Sequence, residues 1–465
     1  MRLPLLASLS ILLAASLVLA IPTVQLNPDF PDPSIDPFYR VPHNVSHYKN
    51  GAVIRSRAVV TNFDVVNVAE SYQVLYRSQD TKHRPDATVA TIWVPTKKLK
   101  KPKLFSYQSY EDSTSFDCSP SWTFVKGSGS ANAATASLDT PIYIQWALTQ
   151  GYHVVASDHE GSQAAFIAGY QEGMASLDGI RATKNHLKLP QDTPVALFGY
   201  SGGGHATAWT ANLAETYAPE VNIVGAVHGG TPTDTKGIFQ FINGGTFSGF
   251  AGGGLVGLMN AYPEFDEYIM SIVSDAGKQK IIDYRSDDYC LVDVTSKSVL
   301  VNFLDYLQVE DPLNQPIIKK VLARESLLMD VSPVNVSVPK FPRLQYHGLE
   351  DEIVPYSDEF KFISQQCAHG ANIQFQTLPV AEHITAEILG LVGAIIFVRQ
   401  IFEGTTPPVA CGTGLLDFPT IFSSEAQTLL GKDTVDYLKS LNGTKTAFGS
   451  IINFPSILEK IPLLW

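Results

Sequence analysis

Residues 195–216 read VALFGYSGGGHATAWTANLAET. Residues 195–199 form an apolar run that suits a buried strand, and residues 203–216 carry a helical pattern. Between them, Gly199-Tyr200-Ser201-Gly202-Gly203 fits G-x-S-x-G. Such a pentapeptide is common by chance, and its context makes it specific. A strand runs directly into it and a helix starts directly after it, which is the arrangement of a nucleophile elbow. The serine of an elbow sits at a strained turn with little room around it, so its flanks must be small. The helix N-terminus then presents backbone N–H groups to developing negative charge.

A serine hydroxyl is a weak nucleophile and needs a general base. In a fold built around an elbow, the acid and the histidine follow the serine in that order, on loops past later strands. The strand LQYH (344–347) is followed by Gly348, Leu349, Glu350, Asp351 and Glu352. The next strand, IQFQTL (373–378), is followed by Pro379, Val380, Ala381, Glu382 and His383. Both candidates stand a few residues past a strand end, at one rim of the sheet. Of the 11 histidines, only His383 has both the order and the loop position. His153 lies inside a strand and His205 one helical turn past Ser201; both read as packing or surface residues. His159 and His228 end strands, so His159 could line a pocket, and His347 closes the strand before the acid. Asp351 is the expected acid, with Glu350, Glu352 and Glu382 as rivals. An orienting carboxylate need only reach the far imidazole nitrogen and hold the tautomer. An oxyanion hole needs two N–H donors, one from Gly202 and one from the loop after the strand LFSYQ (104–108). Position alone does not choose among Ser109, Tyr110, Glu111, Asp112 and Ser113.

Outward from the elbow, strand signals at 75–77, 88–94, 104–108, 152–158 and 221–227 alternate with helical ones, including 143–150. Several of the strands are continuously apolar, so the fold class is α/β, with a parallel sheet covered on both faces. From 234 to 325 the signals are helical, interrupted by glycines, and then the alternation resumes with a helix at 357–367. That reads as a helical insertion within one α/β domain. Phe239, Phe241, Ile242, Phe247, Phe250, Leu255, Val256, Leu258 and Met259 crowd its Gly-rich part. They either line an apolar channel or form the core of the insertion. Residues 388–398 are apolar but too short to span a bilayer, and read as a buried helix. Residues 21–50, rich in proline, read as an extended surface segment.

The chain has 465 residues, 45% apolar and 17% charged, which excludes disorder over most of its length. Its net charge is −12, and the lysines at 97, 98, 100, 101 and 103 read as a solvated loop, so nucleic acid is not an expected partner. Arg2 and the apolar run 3–19, ending Val18-Leu19-Ala20, read as a secretory signal peptide over 1–20, leaving no transmembrane segment in the mature chain. In an oxidising compartment Cys118, Cys290, Cys367 and Cys411 form two disulfides, and three pairings are open. No close Cys/Cys or His/His pair suggests a zinc site, so no metal is expected. Asn44, Asn335 and Asn442 begin glycosylation sequons.

Five motifs in order carry a resemblance: SYQSYEDS (106–113), GYSGGG (199–204), DEIVPY (351–356), QCAHGANI (366–373) and AEHITAEI (381–388). Together they resemble the secreted fungal lipase family related to lipase A of Candida, within the α/β-hydrolase superfamily, over about residues 31–454. The resemblance implies an α/β-hydrolase sheet with an inserted helical lid at 234–325 carrying an acyl-binding tunnel, and a C-terminal flap at about 444–455. It implies Ser201, Asp351 and His383 as the triad, with the Asp112 and Gly202 N–H groups as oxyanion hole. It pairs Cys118 with Cys290 and Cys367 with Cys411. The expected protein is a secreted, monomeric serine lipase acting on triacylglycerols at a lipid–water interface, through an acyl-enzyme and without cofactor. A short-chain carboxylesterase or acyltransferase on the same scaffold is the alternative. A serine peptidase is disfavoured because no propeller-blade repeat is present. A non-catalytic surface protein would have no need of all three triad residues.

Overall fold

The computed structural model describes residues 31–62, 66–126, 140–287, 289–334, 337–408, 410–446 and 451–454. The expected signal peptide, the Asn335 sequon and residues 447–450 and 455 of the expected flap lie outside them.

The chain begins with β1 (Val53–Ala58), β2 (Val68–Gln79), β3 (Pro85–Pro95) and β4 (Leu104–Gln108). After the single turn α1 (Pro120–Thr123) come α2 (Thr140–Gln150), β5 (His153–Ser157), α3 (Gly169–Leu187), β6 (Val195–Tyr200), α4 (Gly202–Tyr217) and β7 (Ile223–Gly229). A helical stretch follows: α5 (Thr235–Ile242), α6 (Ser248–Ala261), α7 (Pro263–Ile272), α8 (Asp275–Tyr284), α9 (Leu291–Ser296) and α10 (Pro316–Arg324). Then β8 (Arg343–Gly348), α11 (Tyr356–Ala368), β9 (Ile373–Leu378), α12 (His383–Glu403), α13 (Ser424–Leu430) and α14 (Lys432–Ser440) complete the described elements.

The strands form one sheet in the order β1-β2-β3-β5-β4-β6-β7-β8-β9. From β5 to β9 neighbours are parallel. The sheet is mixed rather than wholly parallel, because β1, β2 and β3 join by antiparallel pairing. The link between β2 and β3, residues 80–84, is too short for the crossover that a parallel pair requires. The strand pleat sorts the core into two layers. Phe105, Tyr107, Ala196, Phe198, Tyr200, Leu344 and Tyr346 meet α2, α12, α13 and α14 on one face. Leu104, Val155, Val195, Leu197 and Ile373 meet α3, α4 and α11 on the other.

Helix α12 runs well past the expected 388–398. By length and composition it could cross a membrane, but 78% of its most apolar window is buried inside the protein, as befits a core helix. It ends where Gly404 takes a left-handed conformation at φ 68°. The N-terminal segment is not extended throughout: residues 33–35 and 37–39 turn, and Val45–His47 makes one helical turn. Pro33 and Pro37 open those turns, for which a φ fixed near −65° is suited. Asp36 then anchors the segment through an ion pair to Arg57 at 2.6 Å.

The helices from α5 to α10 have their own core, in which Phe247, Phe265, Ile269 and Phe303 gather around Phe166 from the loop after β5 and Ile353–Val354 from the loop after β8. A disulfide joins Cys118, before α1, to Cys290 at the start of α9. A second joins Cys367, at the end of α11, to Cys411.

Candidate active site

Ser201 occupies the turn between β6 and α4 with φ 53° and ψ −122°. A non-glycine residue at positive φ is strained, and the surroundings must hold it there. Its N–H donates to the Gly229 carbonyl at 3.0 Å, and its own carbonyl accepts from the His205 N–H at 2.9 Å. The small flanks have a measurable reason. A Cβ on Gly203 would lie 2.1 Å from the Gln108 carbonyl oxygen, and one on Gly202 would lie 1.9 Å from Asp112 Oδ1. Helix α4 can enter this corner only because its first turn has no side chains.

His383, the first residue of α12, brings Nε2 to 2.8 Å from Ser201 Oγ. Its Nδ1 lies 2.6 Å from Asp351 Oδ2. Asp351 stands in the loop after β8, where its Oδ1 accepts the N–H groups of Ile353 at 2.9 Å and Val354 at 2.7 Å. Both side chains are buried. Burial alone would raise the Asp351 pKa, but His383 and His347 hold its carboxyl well below the usual carboxylate range. Burial would likewise lower the His383 pKa; the Asp351 carboxylate, helped by Glu352, raises it above the ordinary imidazole value.

The rival groups do other things. Glu352 accepts the backbone N–H of His383 at 2.9 Å. Glu382 accepts from Thr385 Oγ1 at 3.0 Å, and Glu350 is exposed. His205 is buried against Glu172, 2.7 Å from Nδ1, and takes a hydrogen bond from Trp209. His153 is buried at the start of β5. His159 is buried, with Nε2 2.8 Å from the Ser109 carbonyl, bracing the loop after β4 rather than lining a pocket. His228 meets Thr231 at 2.9 Å.

In the loop after β4, Asp112 takes a left-handed conformation at φ 48°, with its side chain against Gly202. Behind it lie three buried carboxyls, Glu111 of the same loop and, not singled out by the sequence, Asp158 and Glu160. Burial pushes Asp112 and Asp158 each up to about 7, Asp112 also through Glu172. Burial and neighbouring carboxyls drive Glu111 and Glu160 well above the ordinary range. Their position just past the ends of β4 and β5 was the available signal.

Ser201, Gly202 and Asp112 form one end of an apolar cavity of about 820 Å³ of empty space, mouth included. Its walls come from α5, α6, α10, the loop at Phe166–Ile167 and Ile353–Val354. The aromatic and aliphatic crowd of the insertion divides between the two roles. Phe239, Ile242, Phe250, Leu255 and Leu258 line the cavity. Phe247, Val256 and Met259 are core, and Phe241 is exposed. A smaller space of about 300 Å³ is lined by Ser201 and His383 together with Tyr110, Leu291, Ile384 and Glu387. Among the described residues there is no group of three or more His, Cys, Asp or Glu arranged to hold a metal ion.

The sheet order, the elbow at its centre and the loops converging on it define an α/β-hydrolase. The secretory lipase family model matches residues 128–409. Lipase A of Moesziomyces aphidis is 47% identical over 453 residues, 97% of this chain and 98% of that relative. Secreted triacylglycerol lipase LIP1 of Malassezia furfur is 36% identical over 386 residues, 81% of this chain and 77% of its own. The crystal structure of Candida antarctica lipase A in its closed state aligns with a TM-score of 0.87 at 47% identity, covering 91% of this chain and 99% of that one. The chain belongs to the secretory lipase family, and is a secreted carboxylic-ester hydrolase.

Proposed function

We propose that this lipase hydrolyses triacylglycerols through Ser201, His383 and Asp351. The observation that carries the reading is the hydrogen-bonded line from Ser201 Oγ through His383 to Asp351, opening at its serine end into the apolar cavity. Ser201 Oγ attacks the ester carbonyl while His383 Nε2 takes its proton, and Asp351 fixes the tautomer that leaves Nε2 free to accept. The oxyanion forms beside the Gly202 and Asp112 N–H groups, at the N-terminus of α4. His383 then gives the proton to the departing glyceride oxygen, and water releases the fatty acid from Ser201. The apolar cavity takes the acyl chain, with α5 and α6 as its lid. The smaller space takes the leaving alcohol. The names of the Malassezia relatives, secreted triacylglycerol lipases, support the same substrate class.

Fatty-acid release from tributyrin and then triolein, followed across the solubility limit beside Ser201→Ala, tests the reading. Activity should rise once droplets form, reach triolein, and vanish in the variant. Saturation on dissolved tributyrin with triolein untouched would make the protein an esterase. Activity surviving in Ser201→Ala would place the chemistry elsewhere.

A further inference from the structure

Strand β8 turns Arg343, Gln345 and His347 to one face, under α11, and all three are buried. His347 is the member nearest the loop that carries Asp351. Its Nδ1 pairs with Glu359 Oε2 of α11. Its Nε2 lies 3.2 Å from Asp351 Oδ2, the oxygen that also meets His383 Nδ1, and 3.1 Å from the Val354 carbonyl. Both partners of Nε2 are acceptors, so that nitrogen must carry a proton. The proton shared with Glu359 can then sit on either atom, and in both cases the Glu359–His347 pair has no net charge. Glu359 is itself fixed by the Thr231 N–H at 3.2 Å, in the loop after β7.

We propose that His347, held by Glu359, is a positioning residue of the reaction. With its Nε2–H directed to the Val354 carbonyl and 3.2 Å from Asp351 Oδ2, it holds that carboxylate electrostatically and lowers the basicity Asp351 confers on His383, so that His383 stays a free base to lower pH. The inference rests on the triad proposed above. A carboxylate oxygen that already has one N–H dipole beside it attracts a second proton donor less strongly. The titratable groups facing His383 are Asp351, His347, Glu352, Asp112 and Tyr200, whose ring packs 5.1 Å from it, with Glu387 across the smaller space. His347 faces Glu359 and Asp351, and packs edge-on to Tyr356. The charges agree in sign with the geometry: His347 opposes protonation of His383, while Asp351 and Glu352 favour it.

The test is the pH profile of kcat/KM for a soluble butyrate ester in the double variant His347→Phe with Glu359→Leu. It removes both partners and leaves no orphaned buried charge. Its acid limb should move upward by about half to one pH unit, as for loss of one nearby donor, with KM unchanged. Glu359→Gln, which keeps the Nε2–H beside Asp351, should retain the wild-type limb. An unmoved limb in the folded double variant overturns the proposal. So does an equal shift in Glu359→Gln. If the double variant fails to fold, His347→Asn with Glu359→Gln, which also removes the ring from beside Asp351 and leaves no buried charge, is measured in its place against the same expectation. Failure of both to fold makes the pair scaffold only, and the proposal falls. Ser201→Ala, run alongside, separates this from failure of the triad reading: residual activity there would sink the triad itself.

Discussion

Asp351 is held by three directed hydrogen bonds, two backbone N–H groups on Oδ1 and His383 on Oδ2, and His347 Nε2 stands 3.2 Å from the same Oδ2. Asparagine in its place could keep the carbonyl oxygen on the backbone side only by turning its NH2 toward two ring N–H donors. His383 would then be driven to the tautomer whose Nε2 cannot accept from Ser201. Asp351→Asn should therefore lower kcat by roughly 10³–10⁴-fold with KM little changed, and lower the melting temperature without abolishing folding, because a buried donor then faces ring N–H groups. Steady-state kinetics on purified protein and a thermal melt check this, and a loss under tenfold would deny Asp351 the orienting role. That Ser201, Asp351 and His383 stand together could be read in the sequence because order and strand ends constrain them. The oxyanion donor proposed at Asp112 could not be separated from its neighbours at 109–113 by position, because a backbone N–H leaves no mark on residue type. Glu359 was silent because it reaches His347 only through the packing of α11 on β8.

At the scale of elements, β6 and β7 announced themselves, because central parallel strands are largely apolar on both faces, whereas β8 carries Arg343, Gln345 and His347 on one face. β1, with only half-buried and exposed residues, did not. Helix α3, buried along most of its length yet holding Gln171, Glu172, Asp178 and Lys184 inside, hid behind its own polar residues. Helix α6 lines the cavity proposed to take the acyl chain. Gly254 faces the cavity, and a Cβ there would meet only Ile167 Cγ2, at 3.5 Å. A leucine would extend into empty space that the proposed acyl chain occupies, without displacing backbone. Gly254→Leu should leave kcat/KM for butyrate esters within about threefold, and cut it for long-chain esters by about tenfold or more, the scale set by a few methylenes refused by an apolar site. A chain-length series with p-nitrophenyl esters measures it. A uniform loss across the series would mean that the residue matters for folding of the subdomain rather than for the tunnel.

At the scale of the whole molecule, the buried carboxyls behind Asp112 couple stability to pH. Asp112 and Asp158 rise from the ordinary 3.8 to about 7 on folding, mainly because burial disfavours the charged form. Glu111 and Glu160 shift in the same direction. The folded chain therefore holds protons that the unfolded chain releases above pH 4. The sign follows: this contribution is whole below about pH 4 and is lost as pH rises through about 7, where the native carboxyls must ionise in place. Carboxylates held by cations behave oppositely, but Asp351 is the one such group at the site whose pKa is strongly depressed, and its effect is complete before this window opens. Buried histidines whose pKa burial lowers, His159 and His228 among them, act in the opposite sense below about pH 6.5, so the melting temperature should fall between about pH 6.5 and pH 8. Asp158→Asn, whose amide oxygen can still accept from the Ser121 N–H that Asp158 holds at 2.7 Å, should make that fall shallower. Calorimetry at half-unit intervals tests both statements. A melting temperature that climbs steadily from about pH 6.5 to 8, or a variant with the wild-type slope, would show that these acids are ionised in the native protein, and that the loop bearing Asp112 stands on charges already paired.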